Sequence, residues 1–358
     1  MTLWKTTLLG SVAAVGLIAS THQSSAQETI TVTFTSGYPP QTTWVAAFDD
    51  FAAAVDSALA DTGNYAIQWN IGSGGQIAAP RGELEAVQTG IADIGAIVTP
   101  FHFDREPVYQ LPFVTPFTVN DPGFLSELYS RLEEQFPDYI NWEAANIMVL
   151  SGTAVVDDYM IISTVPLNSV DDLQGLRIAA AAPSLPWVEP VGAVGIAYTQ
   201  DQGYTMLDTG VADAVLATAA AIGTQRFCEP ATHLLVPNLG ANSSVHLGVN
   251  VDLFWDNLPE EVQQAFLDAA PVYDEAQRRI LADNSAASLE LCASEYGMET
   301  VTLTPEQTAE WAARLPNIAQ DWVDRVTDLG IPGQEILTFY MDQVRESGVT
   351  PARDWDRE

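Results

Sequence analysis

Polar and apolar residues alternate through Thr29-Ile30-Thr31-Val32-Thr33-Phe34, the two-residue period of a strand with one buried face. Gly37-Tyr38-Pro39-Pro40 interrupts it, and Trp44, Phe48, Phe51, Ala52 and Val55 then recur at helical spacing. A second strand is predicted over 65–71, ending in Gly72-Ser73-Gly74-Gly75. A helix around 83–88 and a wholly apolar strand over 94–98 follow. Strand, helix, strand, helix, strand is the order of an α/β layer on a mostly parallel sheet.

The pattern then returns. Thr89-Gly90-Ile91-Ala92-Asp93 leads into the apolar run 94–98, and Thr209-Gly210-Val211-Ala212-Asp213 leads into a similar run over 214–217. In each, a helical segment ends at Thr-Gly, where glycine takes the left-handed conformation that closes a helix. A common helix-to-strand turn is the bland reading; two occurrences in the same local setting favour two related α/β lobes. The second lobe begins near Gly152, with strands predicted over 160–163 and 176–182. Between them Ser169 and Asp172 have the spacing of a capping box. From Pro259 on, 260–279, 284–295 and 305–329 carry helical periodicity with charged outer faces, the pattern of packing helices.

Composition narrows the function. The 358 residues suffice for two lobes, and 47 acidic against 13 basic residues give a formal net charge of −34. So few cations supply no basic stripe for nucleic acid and no footing on an anionic membrane. Lys5 is the only lysine, which excludes Schiff-base and phosphate-loop lysines from the rest of the chain. Lys5 itself belongs to a positive start over 1–5, followed by an apolar stretch over 8–19 and a small-x-small site at Ser24-Ser25-Ala26. That is the pattern of a signal peptide over 1–26, cleaved near Ala26. No later run approaches the ~20 apolar residues that span a bilayer. A periplasmic protein without direct membrane insertion is expected. Carboxylates in this excess also point to saline surroundings, where their repulsion is screened. Export places Cys228 and Cys292 where a disulfide is favoured, with two separate buried thiols as the alternative.

Catalytic patterns are few. There is no Gly-x-Ser-x-Gly elbow and no His-Glu-x-x-His, and His102, His233 and His246 are dispersed along the chain. Gly72-Ser73-Gly74-Gly75 lacks the spacing of a phosphate-binding loop and reads as a tight turn. The acid pairs Asp49-Asp50, Asp157-Asp158 and Asp171-Asp172 are, in so acidic a chain, mostly solvated faces. No catalytic residue, metal ligand or cofactor is assigned. A two-lobed exported α/β protein of this kind points to a ligand cleft between its lobes.

Local sequence makes that expectation specific. Glu83-Leu84-Glu85-Ala86-Val87-Gln88-Thr89-Gly90-Ile91-Ala92-Asp93-Ile94, Leu111-Pro112-Phe113 and Ser169-Val170-Asp171-Asp172-Leu173-Gln174-Gly175-Leu176-Arg177-Ile178 resemble successive segments of the DctP-type solute-binding proteins of TRAP transporters. So do the segment 204–213, Arg226-Phe227-Cys228-Glu229, and Leu253-Phe254-Trp255-Asp256-Asn257-Leu258-Pro259-Glu260-Glu261, and the resemblance runs over 29–329. It implies a two-lobed, type II-like periplasmic binding protein: a hinged cleft, a long helix crossing both lobes, and delivery of the ligand to the small and large membrane subunits of a permease. Lobe I is expected over 27–152 with part of 242–285, lobe II over 153–241, and C-terminal helices over 259–358 packing across both.

The resemblance also implies an organic acid held bidentately by an arginine in the strand after Asp-Leu-x-Gly-Leu. This sequence departs there. The position is Ala179, while Arg177 alternates to the other face. A second arginine position falls on Tyr159, and an asparagine position after the second turn falls on Ala217. The expectation is therefore a small neutral or amine-bearing ligand, with Tyr38, Phe101, Tyr159 and Trp187 as aromatic walls and Asp158 as partner of an ammonium. Two alternatives stand beside it. One is an organic acid held by other donors, such as Arg81 or Arg105; the other is an exported enzyme with a scattered site.

Overall fold

The alternating start of the chain forms β1 (Glu28–Thr35), which buries Val32 and Phe34. The next segment, α1 (Thr43–Thr62), lays Trp44, Phe48, Phe51, Val55 and Leu59 against it, with Phe34 and Phe48 stacked 3.8 Å apart. Next come β2 (Tyr65–Gly72), α2 (Glu83–Gln88), β3 (Ile94–Val98), α3 (Leu111–Val114), α4 (Pro122–Gln135) and β4 (Ile147–Val155). The chain then crosses to β5 (Tyr159–Ser163), β6 (Arg177–Ala180), α5 (Leu185–Val188), β7 (Val194–Ala197), α6 (Gly203–Asp208), β8 (Ala214–Thr218), α7 (Ala219–Thr224) and β9 (His233–Val236). It returns in β10 (Ser244–Asn250) and crosses again along α8 (Glu260–Tyr296) to β11 (Glu299–Thr302). Three helices close it: α9 (Pro305–Arg314), α10 (Ile318–Asp328) and α11 (Gly333–Glu346). This computed structural model describes residues 1, 27–103, 105–140, 142–155, 157–241 and 243–358. The targeting segment expected over 1–26 lies, after Met1, outside the described residues.

Among the described residues the strands make a five-stranded sheet, β2-β1-β3-β10-β4, and a six-stranded sheet, β11-β9-β5-β8-β6-β7. All strands of each sheet share one direction except β10 in the first and β5 in the second. Those two are the strands that the chain enters directly from the other sheet, so they start at the cleft and run away from it. The sheet therefore changes between Val155 and Tyr159, a few residues beyond Gly152.

The two Thr-Gly-x-Ala-Asp turns have matching hydrogen bonds. Gly90 and Gly210 have φ of 72° and 68°, and Thr89 and Thr209 hydroxyls donate to the carbonyls of Glu85 and Thr205. Asp93 accepts the Thr33 amide at 2.7 Å, towards the end of β1, and Asp213 accepts the Arg177 amide at 2.9 Å, at the start of β6, so each turn is pinned to a neighbouring strand. Arg177 adds a two-pronged contact to Asp213, at 3.0 and 2.6 Å. The capping box at Ser169 also forms, with the Asp172 carboxylate accepting the Ser169 amide at 3.0 Å.

The C-terminal region departs from its periodicity in three ways. Residues 260–279 and 284–295 belong to one helix, α8, of 37 residues. Its first half packs Val262, Phe266 and Tyr273 into the core of the first sheet, and its far end brings Cys292 into that of the second. The apolar period lapses between them because Leu281 and Asn284 there face the cleft rather than a core. The run 305–329 splits at Pro316, which cannot donate to a continuing helix, and the Asn317 side chain caps α10 by accepting the Gln320 amide. The mostly exposed β11 pairs in parallel with β9; too few of its residues are buried to give a strand pattern.

Three tryptophans anchor the C-terminal segments to both halves. The indole N–H of Trp311 donates to the Trp187 carbonyl at 2.9 Å, Trp322 to Pro107 at 3.0 Å and Trp355 to Pro116 at 3.0 Å. Cys228 and Cys292 are bonded, joining the segment after α7 to α8 across 64 residues of sequence.

Candidate functional site

The carboxyl ends of the parallel strands of both sheets meet in one cavity of about 90 Å³. From the first sheet's side come Tyr38, Trp44, Arg81, Val98 and Phe101. From the other come Tyr159, Ala181, Tyr198, Ala217 and Thr218, while Leu281 and Asn284 of α8 close the back.

A close backbone approach places Tyr38 and Arg81. A Cβ on Gly37 would lie 2.2 Å from the Pro80 nitrogen, so only glycine lets the two loops touch. The Gly37 amide then donates to the Glu83 carboxyl at 2.9 Å. Burial pushes that carboxyl up to about 7, against the backbone N–H groups that hold it down. Burial, with Glu83 nearby, also raises the Tyr38 phenol, which stays neutral and packs edge-on to Trp44 at 5.0 Å.

Arg81 has φ 75°, a left-handed backbone that costs a non-glycine residue of order 1–3 kcal/mol. Its guanidinium lies 4.5 Å over the Phe101 ring, at the exposed mouth of the cavity. Arg131, Arg177, Arg226, Arg278, Arg279, Arg314, Arg345, Arg353 and Arg357 each pair with a carboxylate. Arg81, Arg105 and Arg325 pair with none among the described residues, and of these three Arg81 alone lines this cavity. It is also the one formally charged side chain among the described lining residues, which include no Asp, Glu, His or Cys. A cation beside aromatic rings, with no acid in the cavity lining, suits an anionic group on an organic ligand.

Of the residues expected from sequence, Tyr38, Phe101, Tyr159 and Ala217 line this cavity. Asp158, Ala179 and Trp187 do not. Asp158 turns its carboxylate to the Gly240 amide, 2.6 Å away, and burial pushes it up to about 7. Ala179 is wholly buried with Ile162, Tyr198 and Val215, and the cavity is reached two residues later, at Ala181. Trp187 stacks on Phe113 at 5.4 Å, donates its N–H to the Phe113 carbonyl at 2.7 Å, and supports Tyr159 edge-on from behind. Tyr198, Thr218 and Trp44 were not singled out in the sequence. Trp44 has the helical spacing of a core residue, and its buried indole N–H has no partner among the described residues.

The histidines do not assemble. Burial lowers His102 to about 4 and His246 to about 3, the latter between Tyr109 and Trp142, whereas His233 lies 3.7 Å from Glu299. Among the described residues no group of three or more His, Cys, Asp or Glu is arranged to hold a metal, and no helix is long and apolar enough to cross a membrane.

Solved structures share the fold. A Bordetella pertussis extracytoplasmic solute receptor binding pyroglutamic acid superposes with a TM-score of 0.75 at 20% identity, covering 87% of this chain and 100% of its own. A TRAP solute-binding protein from Rhodoferax ferrireducens, in complex with copurified benzoate, gives 0.75 at 14% identity, covering 89% and 98%. One from Chromohalobacter salexigens with bound D-glucuronate gives 0.73 at 17% identity, covering 87% and 99%. The family described as bacterial extracellular solute-binding protein, family 7 (DctP), matches residues 34–325. With two such lobes around one cleft, and that match over most of its length, the chain belongs to the DctP family of TRAP solute-binding proteins.

Proposed function

We propose that this protein is an exported, non-catalytic receptor that captures a small organic acid between its lobes and passes it to the small and large membrane subunits of a TRAP permease. In this reading the signal peptide is removed near Ala26. Lobe I comprises 27–152 with part of 242–285, lobe II comprises 153–241, and the helices over 259–358 bind the two together. The lobes close on the ligand about a hinge.

The observation that carries the ligand class is Arg81. In a chain of net charge −34 its guanidinium has no carboxylate partner and stands at the mouth of an aromatic-walled cavity. The amine-bearing ligand would instead need an acid in that wall, and Asp158 is committed to Gly240. The organic-acid alternative therefore has the better support, with Arg81 in place of the arginine absent at Ala179. The named ligands of the similar structures, pyroglutamic acid, benzoate and D-glucuronate, are all carboxylic acids. Volume sharpens the choice. The cavity, about 90 Å³, is small, which favours a ligand of benzoate or pyroglutamate size over a hexuronate.

A thermal-shift screen of the mature protein tests this, because a ligand of the folded form raises the melting temperature. Benzoate and pyroglutamate are expected to raise it, D-glucuronate less, and benzamide and benzylamine not at all. A shift with benzylamine and none with any carboxylate would overturn the organic-acid reading and leave the family membership intact.

A further inference from the structure

The chain passes between the two sheets at three places: from β4 to β5, from β9 to β10, and along α8. The acid pair Asp157-Asp158 sits in the first of these and reaches the other two. Asp158 accepts the Gly240 amide at 2.6 Å, which ties the first crossing to the second. Asp157 accepts the Ala220 amide at 3.1 Å, at the first turn of α7, and the hydroxyl of Ser285 on α8, which ties the first crossing to the third. The second oxygen of Asp157 is closed off from solvent and has no hydrogen-bond partner among the described residues. Gly240 has φ 111°, and a Cβ there would lie 2.6 Å from the Val119 carbonyl oxygen, so this crossing takes one narrow path. Among the described residues no cation pairs with either acid; the donors are backbone amides and hydroxyls.

We infer that Asp157 and Asp158 are positioning residues that clasp the three crossings together and so aim Tyr159 and the first turn of α7, both in the cavity wall, at the ligand. The inference rests on the receptor reading for its purpose but not on the nature of the ligand. Two adjacent carboxylates in a shielded place are costly unless their acceptors are used. Here each is used on a different crossing. Because the donors are neutral, water can replace them when the lobes part, which an ion pair in a low dielectric would resist.

The test measures the separation of the lobes in the ligand-free protein by pulsed electron resonance between spin labels. Asp61→Cys and Asp208→Cys provide exposed sites on α1 and α6, and the native cysteines are bonded to each other. Asp158→Asn keeps an acceptor oxygen and is expected to retain the distance distribution of the parent. Asp158→Ala is expected to broaden it at least two-fold, and Ser285→Ala to broaden it less, at temperatures well below unfolding for each variant. Should Asp158→Ala fail to fold, Ser285→Ala and Asp157→Ala carry the test, since each removes acceptors or donors from one part of the clasp only. Distributions unchanged from the parent in Ser285→Ala and in whichever aspartate-to-alanine variants fold would overturn the inference. No ligand is present, so that result would leave the organic-acid reading standing. A failed thermal-shift screen would likewise leave the clasp standing.

Discussion

Arg81 combines a strained backbone, an aromatic bed and an unpaired charge, and none of the three serves the core. Stability and binding are therefore expected to separate there. Arg81→Gly removes the left-handed strain, so the melting temperature of the ligand-free protein should hold or rise, while benzoate binding should weaken about ten-fold or more, since hydrogen bonds to charged groups contribute roughly 1.5–3 kcal/mol. A melt and a titration on the same sample decide it; a fall of several degrees would mean that Arg81 supports the fold instead. Residue-level legibility was uneven for a physical reason. Tyr38, Phe101, Tyr159 and Ala217 sit at strand ends or loops whose place follows from the element order. Asp158, Trp187 and Arg81 were misplaced or left as alternatives because their neighbours come from other segments of the chain: Gly240, Phe113 and Phe101. Burial of an acid, or a positive φ at an arginine, leaves no periodic trace.

At the scale of elements the sequence was far more readable. β3 and α2 lie where their apolar runs put them, and both Thr-Gly-x-Ala-Asp turns close a helix and pin a strand. What escaped the periodicity, though the family resemblance implied a long helix across both lobes, was continuity. The crossing of α8 between lobes removes the core that would have kept its period, and β11 buries too little to announce itself. The disulfide sits on that crossing helix. Closing a loop of 64 residues restricts the unfolded chain by about 4 kcal/mol in the chain-entropy view. Cys228→Ser with Cys292→Ser should therefore lower the urea midpoint sharply, with ligand contacts untouched. An unchanged midpoint would mean that the bond adds nothing to the folded state.

For the whole molecule, charge and burial act in the same direction. Burial raises Glu83 and Asp158 to about 7 and Glu106 to about 8, well above their ordinary values. Between the ordinary carboxyl range and these raised values the folded chain holds protons that the unfolded chain has lost. The stability they confer is complete at the acid end of that window and is lost as pH rises through 7 and 8. Mutual repulsion in a chain of net charge −34 also grows with pH and weakens with salt. The melting temperature is thus expected to be higher at pH 5.5 than at pH 8.5 by about 5 °C or more, with added salt narrowing the gap. The reverse order would mean that these carboxyls are ionised in the folded protein. Capture of an organic acid by Arg81 is tested most directly by isothermal titration of the parent and Arg81→Ala with benzoate and with benzamide. The expected result is binding of benzoate to the parent alone and of benzamide to neither. Equal affinity of the two proteins for benzoate, or a parent that binds benzamide as well as benzoate, would contradict it.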